Sequence, residues 1–215
     1  MKVVKHEKAF HIDELPLQNI NIIDNWLHPL THAWVNEMIS SFSWQLTNQV
    51  QKPNGEYAHR FWGTALYIKD RNCPDTFYPL SNIIREEEYT SGRHVFTRFM
   101  HNLIQDSFGF DWGSLDYIGT NGQTVGLQGT IHLDSQSDQN ISFLYYDQPV
   151  WNKDWGGQLH FYNGKKELVE SIDYVPNRLV FFDGRTFHSA DAPVNCNYEI
   201  RTSLVVRGEQ AILRK

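Results

Sequence analysis

The second half of the chain consists of short apolar runs separated by turn signals, and this pattern limits the folds that it can adopt. Runs with strand character after Tyr117 are Leu127–Leu133, Ile141–Tyr146, Gln158–Tyr162, Arg178–Asp183 and Glu199–Val206. The residues that favour turns between them are Gly156-Gly157, Asn163-Gly164, Pro176-Asn177 and Asp183-Gly184. Short strands at such regular spacing predict an antiparallel sandwich or a jelly roll.

The first half mixes helical and strand patterns. Strand-like alternation covers Asn19–Asp24 and Arg60–Lys69; helical patterns cover Pro29–Ser41, with Thr31 or the preceding turn as a cap, and Gly92–Phe108, which has a one-sided apolar stripe. Helices before and strands after predict a mainly β fold in which helices support one face of a double sheet. We expect a single domain over 1–215, with 1–110 as a helix and strand buttress and 111–208 as the core jelly-roll strands.

Composition narrows the classes of partner. A length of 215 residues suits one domain with a sizeable core. The formal net charge of -6 and the pI near 5.9 argue against nucleic acid or an anionic membrane as partner. Cys73 and Cys196 have no metal-like spacing and indicate free thiols in a reducing compartment, although one disulfide remains an alternative. Residues Met1–Phe10 lack an apolar signal core, so we expect a cytoplasmic protein that is neither secreted nor membrane-bound.

The motif His132-Leu133-Asp134 is followed at a distance by His188. Two imidazoles and one carboxylate can occupy one face of an octahedral Fe(II) and leave three positions open. In a strand, residues i and i+2 point to the same side, so His132 and Asp134 can reach one metal, and the second histidine must come from another strand. The chain has 10 histidines, and His11-Ile12-Asp13 has the same spacing. We reject that early copy because no strand-like sequence precedes it.

Arg201 lies in the last apolar run, where it shares a face with Ser203 and Val205. A guanidinium is costly to bury unless it contacts an anion. A bound carboxylate fits this requirement, because guanidinium is a two-pronged donor that keeps its charge. The alternative is a structural ion pair with Glu199 or with an aspartate.

The region Tyr117–Gly208 resembles the iron(II)- and 2-oxoglutarate-dependent dioxygenases, in particular the prolyl 4-hydroxylase-like branch. The motifs that carry the resemblance are His132-Leu133-Asp134, Phe143-Leu144-Tyr145-Tyr146, Asp154-Trp155-Gly156-Gly157-Gln158-Leu159, Pro176-Asn177-Arg178-Leu179-Val180-Phe181-Phe182, Phe187-His188 and Arg201-Thr202-Ser203. A looser likeness covers Ile22–Leu30, and the loop predicted at Ile118–Gly126 matches poorly.

The resemblance implies a double-stranded β-helix and a set of site residues. It implies that His132, Asp134 and His188 bind iron, and that Arg201 binds the distal carboxylate of 2-oxoglutarate with help from Tyr146 and Ser203. Tyr117 is a weaker candidate for a cosubstrate contact, and no catalytic residue is implied beyond the metal ligands. The implied cofactors are Fe(II), 2-oxoglutarate and dioxygen, with ascorbate for reactivation.

The implied reaction is hydroxylation of a substrate C–H bond, coupled to decarboxylation of 2-oxoglutarate to succinate. The resemblance favours a prolyl residue in a peptide or protein as substrate, with a free amino acid or another small molecule as the alternative. Specificity is expected in the loops Gln45–Tyr57, Cys73–Thr90 and Asp147–Asp154. Aromatic residues that could line a cleft are Trp44, Tyr57, Phe77, Tyr78 and Trp151. The sequence leaves the oligomeric state open.

Two other classes of protein fit parts of the pattern. A non-enzymatic jelly-roll binding module would leave the alignment of His132, Asp134, His188 and Arg201 without a purpose. A zinc hydrolase can use three such ligands plus water, but it has no need of Arg201 or of a keto acid. Aerobic turnover of 2-oxoglutarate to succinate separates the three classes.

Overall fold

The computed structural model describes residues 20–51, 57–68, 95–195 and 200–213. Its helices are α1 (Pro29–Ser41) and α2 (Val95–Phe108). Its strands are β1 (Asn21–Ile23), β2 (Gln45–Gln51), β3 (Tyr57–Ile68), β4 (Phe110–Gln123), β5 (Asn140–Tyr145), β6 (Leu159–Tyr162), β7 (Leu168–Ile172), β8 (Leu179–Asp183), β9 (Phe187–Ala190) and β10 (Arg201–Leu213). A short 3₁₀ turn covers Lys153–Trp155.

The strands form two antiparallel sheets. The main sheet has the order β1-β8-β5-β10-β4-β3-β2, and the minor sheet has the order β7-β6-β9. Strands β5, β8 and β10 lie beside one another in the main sheet although turns and the whole minor sheet separate them in sequence. This arrangement is the predicted jelly roll with supporting helices, and the expected fold class is confirmed.

Alternation along β5 separates two apolar cores. Phe143 and Tyr145 face a core that both helices cover, whereas Leu144 and Tyr146, just beyond the strand, face a second core between the two sheets. The helices contribute Val35, Ile39, Phe96, Met100 and Ile104 to the first core, each at most 5% exposed. The second core is therefore the interior of the roll, and side chains of one parity on each strand face it.

Helix boundaries follow local chemistry. Helix α1 begins at Pro29, whose missing N–H costs nothing in the first turn, and the His28 side chain accepts a hydrogen bond from the Leu30 amide at 3.3 Å. The cap is therefore His28, in the preceding turn, which was one of the two expected positions, and not Thr31. After α2, Gly109 has φ 67°, a conformation that glycine adopts without strain, and its N–H donates to Gln105 O. Among the described residues, neither helix has the length and apolar character to cross a membrane.

Several expectations about strands are wrong. The loop expected over Gln45–Tyr57 instead contains β2 (Gln45–Gln51). Leu127–Leu133 is not a strand; its pairing is limited to a bridge between His132 and His188. The loop expected over Ile118–Gly126 instead contains the end of β4, which continues to Gln123. Strand β7 was not expected, since its short sequence has only one buried residue, Ile172.

Candidate active site

Three side chains meet at one end of the roll interior. One possible ligand atom from each of His132, Asp134 and His188 lies within 4.8 Å of the others. His132 Nε2 lies 3.8 Å from Asp134 Oδ1, and His188 Nε2 lies 3.7 Å from Asp134 Oδ2. The side chain of His132 is 51% exposed, whereas those of Asp134 and His188 are 6% and 5% exposed. The set is therefore open to solvent on the His132 side only.

Main-chain hydrogen bonds hold the three residues together. The amides of His132 and His188 each donate to the carbonyl of the other at 3.0 Å. The Asp134 amide donates to Gly184 O at 2.9 Å, in the turn between β8 and β9. The strand pairing expected for His132 and Asp134 is thus replaced by one bridge and one turn contact, which bring the same residues together.

The two histidines have the same ring orientation relative to the backbone. Nδ1 of His132 lies 2.8 Å from Thr130 O, and Nδ1 of His188 lies 2.9 Å from Thr186 O. A carbonyl can only accept, so the ring proton is at Nδ1 and Nε2 keeps its lone pair. Both lone pairs are therefore available to a metal on the Asp134 side, as in metal sites where a second hydrogen bond fixes the tautomer.

Both carboxylate oxygens of Asp134 accept hydrogen bonds from the main sheet. Arg207 Nη1 donates to Oδ1 at 2.7 Å, and Ser142 Oγ donates to Oδ2 at 2.7 Å. Burial favours the neutral acid, but His188, Arg207, His132 and the Ser142 hydrogen bond outweigh it and hold the pKa of Asp134 well below its ordinary value. Asp134 is thus ionised and oriented, as a metal ligand must be.

Burial disfavours the charged form of His188. It lowers the pKa of His188 to about 4, helped by neighbouring His132 and Arg207 and opposed by Asp134 and the Thr186 carbonyl. The imidazole is therefore neutral at physiological pH, which is the form that binds metals.

Arg201 lies on the same inner face of β10, six residues before Arg207, and is only 1% exposed. Its Nε donates to Gly157 O at 2.7 Å and its Nη1 to Gln123 Oε1 at 3.0 Å. Among the described residues no carboxylate forms a salt bridge with it, although the buried Asp147 carboxylate interacts with its charge at longer range, and Nη2 is buried without a hydrogen-bond partner. Glu199, the ion-pair partner considered from sequence, lies outside the described residues.

Tyrosine rings flank this guanidinium. Arg201 Cζ lies 5.4 Å from the ring centroid of Tyr146 and 5.2 Å from that of Tyr174, and the two rings stack at 4.3 Å. Tyr174 donates to Thr202 O at 2.7 Å, whereas the hydroxyl of Tyr146 is buried without a partner. Burial raises the pKa of Tyr146, although Arg201 opposes the rise, so its phenol keeps its proton.

Two buried donors, Arg201 Nη2 and the Tyr146 hydroxyl, therefore lack an acceptor in the described protein. Such groups are costly to bury unless a ligand satisfies them. A carboxylate is the chemical group that would accept from both, so the residues fit a bound carboxylate. Ser203 is buried on the same face of β10, 1% exposed. The two nitrogen donors and one carboxylate of the histidine cluster equally fit Fe(II).

Sequence reasoning missed Ser142, Arg207 and Gln123. Register explains their roles, because Ser142 and Tyr117 lie on either side of Arg207, and Gln123 lies opposite Arg201. A signal was present for Arg207, since it has the same parity as Arg201, Ser203 and Val205 on β10.

The other residues that the sequence suggested for the site or for a cleft lie in several parts of the structure. The Arg207 guanidinium lies over the ring of Tyr117, with Arg207 Cζ 4.9 Å from the centroid of that ring. Trp151 packs on Tyr174 at 4.6 Å, beside the Arg201 pocket, whereas Trp44 packs against the core under the helices. Sequence candidates that lie outside the described residues or side chains are His11, Asp13, Tyr57, Cys73, Phe77, Tyr78 and Cys196.

Comparisons with known proteins agree with this geometry. Residues 121–208 match the model of the 2OG-Fe(II) oxygenase superfamily. No curated protein matches the sequence. A solved prolyl hydroxylase from Trichoplax adhaerens, in complex with a hypoxia inducible factor peptide fragment, is 19% identical with a TM-score of 0.53, over 90% of this chain and 84% of that chain.

Two further solved structures share the fold. An oxidoreductase of the 2OG-Fe(II) oxygenase family from Burkholderia pseudomallei is 12% identical with a TM-score of 0.57, over 93% of this chain and 90% of that chain. A non-heme alpha ketoglutarate dependent epimerase from nogalamycin biosynthesis is 11% identical with a TM-score of 0.52, over 88% of this chain and 76% of that chain. At these identities the likeness establishes the jelly-roll fold.

The segment matched by the family model contains all three members of the histidine cluster and Arg201. The family implies Fe(II) and 2-oxoglutarate, and the donor sets described above fit both. The resemblance seen in the sequence is confirmed: residues 121–208 match the 2OG-Fe(II) oxygenase superfamily, and solved structures of 2OG-Fe(II) oxygenases share the fold.

Proposed function

We propose that the protein is a hydroxylase in which His132, Asp134 and His188 hold Fe(II) and Arg201, Tyr146 and Ser203 bind the distal carboxylate of 2-oxoglutarate. One observation carries the proposal: a histidine–aspartate cluster and a buried arginine without a carboxylate partner share the inner face of one roll. A zinc hydrolase would use the cluster but not Arg201, so the arginine favours the keto acid.

When bound, iron and 2-oxoglutarate supply dioxygen activation and the oxidative equivalents for hydroxylation. The protein supplies ligation, orientation and a dry pocket. The carbonyls of Thr130 and Thr186 hold the histidine protons at Nδ1, and Arg207 and Ser142 keep Asp134 ionised and in place. Arg201 neutralises the anionic cosubstrate, which would otherwise be costly to bury.

Apolar side chains wall the space between the two sheets. Leu144, Phe161, Phe182 and Val205 are at most 6% exposed and belong to the core that also contains Tyr146. Excluding water there strengthens the charge-assisted hydrogen bonds of the pocket. The exposed side of His132 is then the side from which a substrate can approach.

We propose a prolyl residue in a peptide or protein as the substrate. The support is the fold shared with the prolyl hydroxylase from Trichoplax adhaerens and the motifs of the last six strands. An epimerase shares the same fold, so the fold alone leaves the substrate open, and a free amino acid or other small molecule is the second candidate. Ascorbate is proposed for reactivation, and the cytoplasmic location stays a prediction.

The test is aerobic incubation of the protein with Fe(II), 2-oxoglutarate and ascorbate against proline-containing peptides, free amino acids and other metabolites. Succinate above the uncoupled background, with one oxygen atom gained by a peptide prolyl residue, supports the proposal. Oxygen gain by a free amino acid instead supports the second candidate. Turnover that persists with zinc and without 2-oxoglutarate would refute the oxygenase assignment of the site.

A further inference from the structure

Gln123 is a buried amide whose every hydrogen-bonding atom is engaged. Gln123 is 3% exposed and lies at the end of β4, directly opposite Arg201 in the register between β4 and β10. Its Nε2 donates to Leu127 O at 3.1 Å and to Ala190 O at 3.0 Å. Its Oε1 accepts from Arg201 Nη1 at 3.0 Å.

This network fixes which way the amide points. Both Nε2 hydrogens have carbonyl acceptors, and exchanging the oxygen and nitrogen positions would direct N–H toward the N–H of Arg201. The amide is therefore held from two sides by the main chain. Ala190 O also accepts from the Gly129 amide at 2.8 Å, so the support is itself fixed.

The fixed amide limits the orientation of Arg201. Gln123 and Gly157 hold Nη1 and Nε, and Nη2 is the nitrogen left without an acceptor. A Cβ at Gly157 would lie 2.9 Å from Arg201 Cδ, so the main chain at Gly157 packs closely against the aliphatic part of the arginine side chain. Two of the three guanidinium nitrogens thus serve to aim the third.

Gln123 also links this end of the pocket to the metal end. Leu127 and Ala190 belong to the segments that lead to His132 and away from His188. One side chain therefore joins Arg201 to both main-chain segments that connect with the histidine cluster. We propose that Gln123 is a positioning residue that aims Arg201 Nη2 and thereby sets the length of the dicarboxylate that the site accepts. The inference rests on the proposed function, because it assumes that Arg201 binds the cosubstrate.

The test uses the full-length protein with Gln123→Met and Gln123→Glu. Affinity for 2-oxoglutarate is measured by calorimetry without oxygen, with Mn²⁺ in place of iron, and affinity for Mn²⁺ is measured separately. Oxaloacetate and 2-oxoadipate, one carbon shorter and one longer, are measured in the same way. Gln158→Met is the matched control, because its amide donates to Asp173 at 2.7 Å on the outer side of the minor sheet.

We expect Gln123→Met to weaken 2-oxoglutarate binding roughly tenfold, within the range usual for residues that orient a ligand-binding group. Gln123→Glu should weaken it about a hundredfold, since its carboxylate would pair with Arg201 and repel the cosubstrate. Mn²⁺ affinity should be unchanged. The affinities for the shorter and longer diacids should fall less than the affinity for 2-oxoglutarate. The selectivity of the site for the five-carbon acid should therefore fall.

Parent-like 2-oxoglutarate affinity in Gln123→Glu would overturn the inference, as would an equal loss in Gln158→Met or an unchanged selectivity. If Gln123→Met fails to fold, as judged by circular dichroism, the nearly isosteric Gln123→Glu decides. Arg201→Ala separates the two levels of the argument. Full cosubstrate affinity in Arg201→Ala means that the proposed function fails, whereas loss there with parent-like Gln123 variants means that only the role of Gln123 fails.

Discussion

The two arginines on the inner face of β10 differ in what they pair with. Arg201 is 1% exposed and has no carboxylate partner among the described residues, whereas the side chain of Arg207 is 33% exposed and pairs with Asp134 at 2.7 Å. Arg207 pairs with a carboxylate of the protein itself, whereas the proposed partner of Arg201 is an anion that must be bound. A buried charge left unpaired is costly, so its presence points to a ligand more strongly than a completed ion pair does.

Under the proposed function, the metal lies at the Arg207 end of β10 and the cosubstrate at the Arg201 end. The largest effect is expected from His188→Ala, which removes a buried ligand at the first end. Metal binding, followed by calorimetry with Mn²⁺, should fall below detection together with turnover. His160→Ala is the control, because its imidazole is on the same minor sheet but contacts Ser171 and Asp191 instead. Loss of metal in the control would remove the distinction.

Arg201→Ala should affect the other end alone. Removing one member of a buried charge pair costs about 3–5 kcal/mol, so 2-oxoglutarate affinity should fall more than about a hundredfold. Arg201→Lys should restore part of the loss, since the charge remains but the bidentate geometry does not. Calorimetry with Mn²⁺ should find the metal affinity intact. A joint loss of metal and cosubstrate would mean that the two ends are one site.

Tyr146→Phe should give a smaller loss at the Arg201 end. The phenol has no partner in the described protein, and a hydrogen bond to a charged group is worth about 1.5–3 kcal/mol. The loss should be seen in 2-oxoglutarate affinity and not in thermal stability. Tyr174→Phe is the matched control, because its hydroxyl already donates to Thr202 O. That variant should lose stability and keep its cosubstrate affinity.

Arg207→Met should produce the smallest change, a shift in the pH dependence of metal binding. Arg207 lowers the pKa of both Asp134 and His188, and the pKa of His188 lies at about 4. Protonation of either ligand opposes metal binding, so affinity is lost as the pH falls. Without Arg207 both pKa values rise, and the loss should begin at a higher pH. Mn²⁺ titrations across the acid range would measure this shift.

Arg178→Met is the control for that shift, because Arg178 pairs with Asp24 far from the cluster. An acid limb that moves equally in both variants would show that Arg207 acts through general charge and not through its two neighbours.

The sequence predicted the strands that alternate and end at turn signals, such as β5 and β8. It failed for β4, whose inner face carries Tyr117, Gly119, Asn121 and Gln123 in place of apolar residues. Of these residues, Gln123 bonds Arg201 and the Tyr117 ring lies beside the Arg207 guanidinium, so local propensity is misleading there. It failed again at Leu127–Leu133, where apolar alternation indicated a strand but the chain makes turns and one bridge.

The metal cluster was predicted from residue type and order, Arg201 from the cost of burying a charge in an apolar run, and Tyr146 from family resemblance. Contacts made by Gln123, Ser142 and Arg207 depend on register between strands that are distant in sequence. A single sequence does not specify that register, because shifting a strand by one residue reverses every side chain. The residues that support the site are therefore the part of it that the sequence alone does not predict.

The bridge between His132 and His188 has a consequence for metal exchange. The segment that carries His132 and Asp134 belongs to neither sheet; it is held by a few main-chain bonds to β9 and to the turn before it, and by the bonds of the Asp134 carboxylate to Ser142 and Arg207. Such segments open locally at a lower free energy than the sheets that flank them. We expect metal to enter and leave by this local opening, with the roll intact. Amide hydrogens of Gly129 and His132 would then exchange faster in metal-free protein than those of β5 and β8.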